Sequence, residues 1–149
     1  MTAEEMWRAC CARGRADEAE PYEAWAFCGG GPDADVLAEL VLRGVKTATS
    51  SAYIGYETEQ EPIPAAGELS VILYDSGEAA CVIRTTKVSL VPFDEVACEH
   101  AWKEGEGSRS LVEWREVHRR AFAPDYQAVG RSFDEKGLCV LEEFERIYP

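Results

Sequence analysis

A lysine two residues past a glycine, with hydroxyls at four of the next five positions, is the first group of residues here with chemistry in it: Gly44-Val45-Lys46-Thr47-Ala48-Thr49-Ser50-Ser51. A lysine held in a partly apolar pocket loses solvation, its pKa falls, and its amine becomes a usable base. A threonine hydroxyl beside it then becomes a nucleophile. If the segment is extended, Lys46, Ala48 and Ser50 share one face and Thr47, Thr49 and Ser51 the other; a local turn would instead bring Lys46 to Thr49. The same residues also suit a helix end followed by a threonine-rich strand with a solvent-facing lysine.

A second group is His100-Ala101-Trp102-Lys103-Glu104-Gly105-Glu106-Gly107. Glycines on either side of a carboxylate let the backbone pass close to another element, so Glu104 or Glu106 can point into a cleft. An acidic loop ending a helix is the plainer reading. The segment lacks the GxxxxGK[ST] pattern of a phosphate loop, and its carboxylates would repel phosphate. His118 falls on an apolar helical face with Trp114 and Phe122 and reads as a satisfied core histidine. Cations cluster in two places, Arg115-Arg119-Arg120 and Arg84 with Lys87. The two histidines have no cysteine at ligand spacing, so no metal or cofactor is expected.

These groups need elements to position them. Thr2-Ala3-Glu4-Glu5 is a capping box that starts a helix to about Arg13. Tyr22 to Cys28 alternates like a strand and ends at Gly29-Gly30-Gly31. Asp33 reads as the N-cap of a helix over Ala34–Arg43, with Gly44 past its end. Lys46 to Ala52 reads as a strand or extended loop, and Glu57 to Gly67 as loop. Leu69–Tyr74 and Ala79–Val91 form a hairpin through Asp75-Ser76-Gly77-Glu78. Pro92-Phe93-Asp94 begins a short helix through Trp102, Ser110-Leu111-Val112-Glu113 is a second capping box, and Gly137–Phe144 is a closing strand. Consecutive central strands with helices around them predict an α+β fold with a curled, largely antiparallel sheet.

The chain has 149 residues, 46% hydrophobic and 29% charged, which fits one globular domain. The apolar stretches are too short and too interrupted to span a membrane, and residues 1–15 have no secretory h-region. Six cysteines without CxxC spacing read as free thiols of a cytoplasmic protein. A net charge of −13 argues against a long nucleic-acid footprint, because affinity for a polyanion comes largely from neutralised phosphates. A nucleoside, a nucleotide or a short single strand stays compatible with it.

From about Trp25 to Phe144 the chain resembles the ASCH family. The resemblance is carried by Ala34 to Ser51 with its GxKxxT element, by Pro64-Ala65-Ala66-Gly67-Glu68-Leu69, by Pro92-Phe93-Asp94-Glu95-Val96, and by Glu104-Gly105-Glu106-Gly107 followed by Ser110-Leu111 and Trp114. It implies a PUA-like β-barrel, curled and antiparallel or mixed, with surrounding helices: one domain over 1–149, residues 1–21 forming an N-terminal helix and connection and 22–149 the core. It further implies RNA or nucleoside handling. Some smaller bacterial members look like metal-independent amidohydrolases that deacetylate N4-acetylcytidine with a lysine, a threonine three residues later and a glutamate. Those roles fall here on Lys46, Thr49 and Glu104, with substrate contacts expected from Thr47, Ser50, Glu106 and Arg84. A non-catalytic RNA- or nucleotide-binding module and a metal-dependent single-strand ribonuclease are the alternatives.

Overall fold

The Thr2 hydroxyl accepts from the Glu5 N–H and the Glu5 carboxylate accepts from the Thr2 N–H, and the helix started by this reciprocal cap, α1, runs Ala3–Ala12. The computed structural model describes residues 1–149. After α1 come β1 (Tyr22–Ala26), α2 (Pro32–Leu42), β2 (Ala48–Ala52), α3 (Tyr53–Glu59), β3 (Leu69–Leu73), β4 (Ala79–Pro92), α4 (Cys98–Glu104), α5 (Leu111–Gln127) and β5 (Leu138–Tyr148).

The strands form one five-stranded sheet in the order β1-β3-β4-β5-β2, curled into half a barrel. Only β1 and β3 run parallel; the remaining neighbours are antiparallel. The longest ladder joins β4 to β5, and β5 in turn carries β2 on its other edge, with Thr49 opposite Glu142 and Ser50 opposite Leu141. Apolar side chains on both faces close the core. Met6, Trp7 and Cys10 of α1 pack on Leu69, Val71 and Val82, and Leu37, Ala38 and Val41 of α2 pack on Ile72, Ile83 and Phe144. Trp114, Phe122 and Tyr126 of α5 pack with Phe93, Ile54 and Leu141. The six cysteines are free thiols. No helix is long and apolar enough to cross a membrane.

Several local expectations change. The strand from Tyr22 stops at Ala26, because Phe27–Gly29 forms a 3-10 turn with Cys28 in the left-handed region, φ 57°. The N-cap of α2 is Gly31 rather than Asp33, since Pro32 takes the first helical position, where its missing N–H costs nothing. Tyr53–Glu59 is helical although its first residue has no side-chain cap; Ile54 holds it by packing in the core beside α5. The expected helix from Pro92 to Trp102 divides into a 3-10 turn at Phe93–Glu95 and α4, with extended backbone at Val96 and Ala97 between them. The Ser110 box is only half built: Ser110 accepts from the Glu113 N–H, but the Glu113 carboxylate turns to Ser108 instead.

Candidate functional site

Lys46 and Glu104 are each 1% exposed, an unusual depth for two charged side chains. Backbone constraints put them together. After α2, the N–H groups of Val45 and Lys46 both donate to the Leu40 carbonyl, at 2.9 and 3.1 Å. The Thr47 N–H donates to the Lys103 carbonyl at 2.8 Å, and the Thr47 carbonyl accepts from Phe144 at 3.0 Å. The Lys46 segment is thereby fastened to the end of α4 on one side and to β5 on the other. Gly105 allows the close approach: it caps α4 at φ 73°, and a Cβ there would stand 2.6 Å from the Val45 carbonyl oxygen.

The Lys46 ammonium donates to Glu106 Oε2 at 2.9 Å and to Glu104 Oε1 at 3.4 Å, and lies 5.2 Å from the centre of the Phe27 ring. The two carboxylates differ. Glu104 Oε2 accepts from Ser50 Oγ at 2.6 Å and from the Trp114 indole N–H, and lies 3.0 Å from His100 Nε2. His118 presents Nε2 to Glu104 Oε1 at 3.6 Å, while its Nδ1 donates to the Trp114 carbonyl at 2.7 Å. Burial alone would raise the Glu104 pKa, but hydrogen bonds from His100 and His118 and the Lys46 charge hold it well below the usual carboxylate range. Glu106 has fewer partners. Burial pushes it up, Lys46 pulls it down, Glu104 pushes it up again, and the net direction is upward. Burial would lower His118, but Glu104 outweighs it and raises the imidazole above its ordinary value.

Of the residues singled out in the sequence, Lys46, Ser50, Glu104 and Glu106 thus meet in one network. Thr49 enters no hydrogen bond with Lys46; it points from β2 into a cleft of about 640 Å³ that it shares with Phe27, Ser50, Ser51, Tyr56 and Glu142. Thr47 is exposed, its hydroxyl 3.4 Å from the Lys103 carbonyl. Arg84 is outside both the network and the cleft, donating to the Arg15 carbonyl at 3.3 Å. Of the arginines of α5, Arg119 pairs with Glu135 and Arg115 donates to the Asp94 carbonyl, while Arg120 borders a second cavity with Glu106 and His118.

His118, read in the sequence as a satisfied core histidine, and His100 are further partners of this network. Their signal lies in i,i+4 spacing: His100 with Glu104 on α4 and Trp114 with His118 on α5 each share a helical face. With them comes a set of metal-ligand type, since ligand atoms of Glu104, Glu106 and His118 lie within 4.8 Å of one another. The Lys46 ammonium already stands between the two carboxylates as their cation.

Over residues 23–148 the chain matches the family model of the ASCH domain. The crystal structure of an ASCH domain from Lactobacillus crispatus JV V101 has a TM-score of 0.92 to it and 32% sequence identity, covering 99% of this chain and 94% of that one. A crystallised protein from Enterococcus faecalis V583 has a TM-score of 0.86 and 31% identity, covering 98% of this chain and 88% of that one. No curated protein matches the chain.

Proposed function

The chain belongs to the ASCH domain family, and within it we propose that this protein is a metal-independent amidohydrolase that removes the acyl group from an N4-acylated cytidine. The observation that carries this reading is the buried Lys46 ammonium held between an ionised carboxylate, Glu104, and a carboxyl whose pKa burial raises, Glu106. A carboxyl made more basic in this way is suited to take a proton from Lys46 across 2.9 Å. The amine so freed takes the proton of Thr49 as its Oγ attacks the amide carbonyl carbon. Phe27, whose ring centre is 5.2 Å from the Lys46 amine, also forms part of the wall of the cleft that Thr49 enters.

As the tetrahedral intermediate collapses, the C–N4 bond breaks, the proton that Lys46 took from Thr49 passes to the departing amine, and Glu106 returns its own proton to Lys46. The pyrimidine ring draws electron density from that nitrogen, which makes it a good leaving group. Water then cleaves the acyl-threonine ester by the same proton path, releasing the carboxylic acid. Glu104, every one of whose oxygens is occupied, orients Lys46 and stays ionised throughout.

A second reading is supported by the Glu104, Glu106 and His118 set, which has the composition of a divalent-cation site for cleavage of single-stranded RNA. The test is the ultraviolet absorbance of N4-acetylcytidine incubated with the protein in EDTA, beside Glu106→Gln. Release of cytidine by the unaltered protein, slowed at least a hundredfold in the variant, is the expected result. No release in EDTA, with cleavage of a short single-stranded RNA on addition of manganese, would replace the amidohydrolase with the nuclease.

A further inference from the structure

The cleft beside Thr49 has a polar lining with one sign of charge. Glu23, Glu61, Glu68 and Glu142 border it, and no lysine or arginine does. Its inner wall carries two hydroxyl residues, Ser70 at 9% and Thr85 at 5% exposure, whose side chains enter none of the hydrogen bonds within the protein. Buried hydroxyls ordinarily have partners, so this pair is available to a molecule in the cleft. Glu142 completes the set. It sits opposite Thr49 across the β2–β5 ladder, and its carboxyl likewise makes no hydrogen bond within the protein. Around these groups stand Trp25, Phe27 and Tyr56, flat surfaces for an aromatic ring.

We propose that this cleft recognises an uncharged pyrimidine nucleoside, read by Glu142 with Ser70 and Thr85, and rejects the same nucleoside carrying a phosphate. This deepens, and rests on, the reading of the Lys46 site as a deacylase, by naming the form of substrate that reaches it. A protonated carboxyl offers an O–H to a ring acceptor and a carbonyl oxygen to an adjacent N–H, the two groups that lie side by side on a cytosine edge. A phosphate brought to the same cleft meets the Glu23, Glu61 and Glu68 carboxylates with no cation to offset them.

The acid form of Glu142 is supported by its surroundings. Burial and the neighbouring Glu68 charge push its pKa up to about 7. Tyr56 from α3, Glu61 from the following loop and Glu23 from β1 also border the cleft, and Thr49 faces Glu142 from β2; none of them is a cation. A neutral nucleoside should therefore bind better below neutral pH, where Glu142 keeps its proton, than above it.

The experiment is calorimetric titration of the protein with cytidine and with cytidine 5′-monophosphate, at pH 6 and pH 8. Binding of a product needs no catalysis, so the result stands apart from whether N4-acetylcytidine is hydrolysed. Cytidine is expected to bind at least about tenfold more tightly than its monophosphate, and more tightly at pH 6 than at pH 8. Glu142→Gln, which keeps a donor but cannot ionise, should remove the pH difference, and Glu68→Lys on the exposed rim should recover monophosphate binding by about tenfold. Equal or tighter binding of the monophosphate by the unaltered protein overturns the proposal, as does failure of both ligands to bind. A pH difference that survives in Glu142→Gln overturns the role of Glu142.

Discussion

The Lys46 ammonium lies 2.9 Å from Glu106 Oε2, and Glu106 is the one member of the buried charge network that keeps appreciable exposure, 30% of its side chain. The other carboxylate on that ammonium, Glu104, is sealed under α5 by Trp114. One amine is thus shared between an acid open to the exterior and an acid closed to it, and the two should respond differently to substitution.

Glu106→Gln should lower deacylation by about 10²–10⁴-fold, the usual contribution of a general acid–base group, while thermal stability changes little. Glu104→Gln should lower both, because an amide there turns an N–H₂ toward donors and removes the charge that Lys46 and His118 face. Initial rates on N4-acetylcytidine and melting temperatures of both variants test this; a Glu104→Gln protein with full stability and lost activity would reverse the two roles.

Lys46→Ala should abolish activity and also destabilise the fold, by about 3 kcal/mol, since breaking a buried ion pair leaves a charge without its partner. The double variant Lys46→Met, Glu106→Gln should be more stable than Lys46→Ala although equally inactive. Urea unfolding followed by tryptophan fluorescence gives the comparison.

Stability should pass through a maximum in pH, falling on the acid side with Glu104 and on the alkaline side with the raised carboxyls Glu106 and Glu142 and with His118. Glu104 has a depressed pKa, so its contribution is complete above the ordinary carboxylate value of 4.5 and disappears as pH falls through the native value. His118 has a raised pKa, so its contribution is complete below the ordinary imidazole value of 6.5 and disappears as pH rises through the native value. Melting curves from pH 3 to pH 9 should show both slopes, and His118→Asn should reduce the alkaline one above pH 6.5.

Gly105→Ala should be among the most damaging single-methyl additions available to this chain. The new Cβ would meet the Val45 carbonyl at 2.6 Å, and the residue would sit at φ 73°. Left-handed backbone alone costs about 1–2 kcal/mol in a residue with a Cβ, and the overlap about 1–3 kcal/mol more. The gap between Glu106 and Lys46 should widen, so kcat should drop even where the protein still folds.

The Lys46 segment, Glu104 and Glu106 were legible in the sequence because Gly44 stands just before a lysine followed by a run of hydroxyls, and glycines flank Glu106 directly after Glu104. So were α1, with its complete capping box, and the β3–β4 hairpin, with its turn and alternation. What stayed hidden depends on contacts far apart in the chain. Nothing local requires Tyr53–Glu59 to be helical; Ile54 is held there by residues of α5 and β5. His118 reads as core from its own helix, and only the return of α5 over α4 brings it to Glu104. Arg84 and Thr47 look available for a ligand as residue types, yet the register of β4 and the exposed edge of the Lys46 loop turn them elsewhere.

The strand order also sets when the lysine loop is secured. β2 finds its sole strand neighbour in β5, and the Thr47 carbonyl waits for the Phe144 N–H. The 85 residues between Ala52 and Leu138 must be made before that pairing can form, a long-range closure of the slow kind. On the ribosome, a nascent chain that has not yet exposed residues 138–148 can hold the β3–β4 hairpin and the bond from Thr47 to Lys103, but lacks the strand that fastens the lysine loop on its other side. The lysine loop is therefore fastened on both sides only in one late step, after β5 has been made.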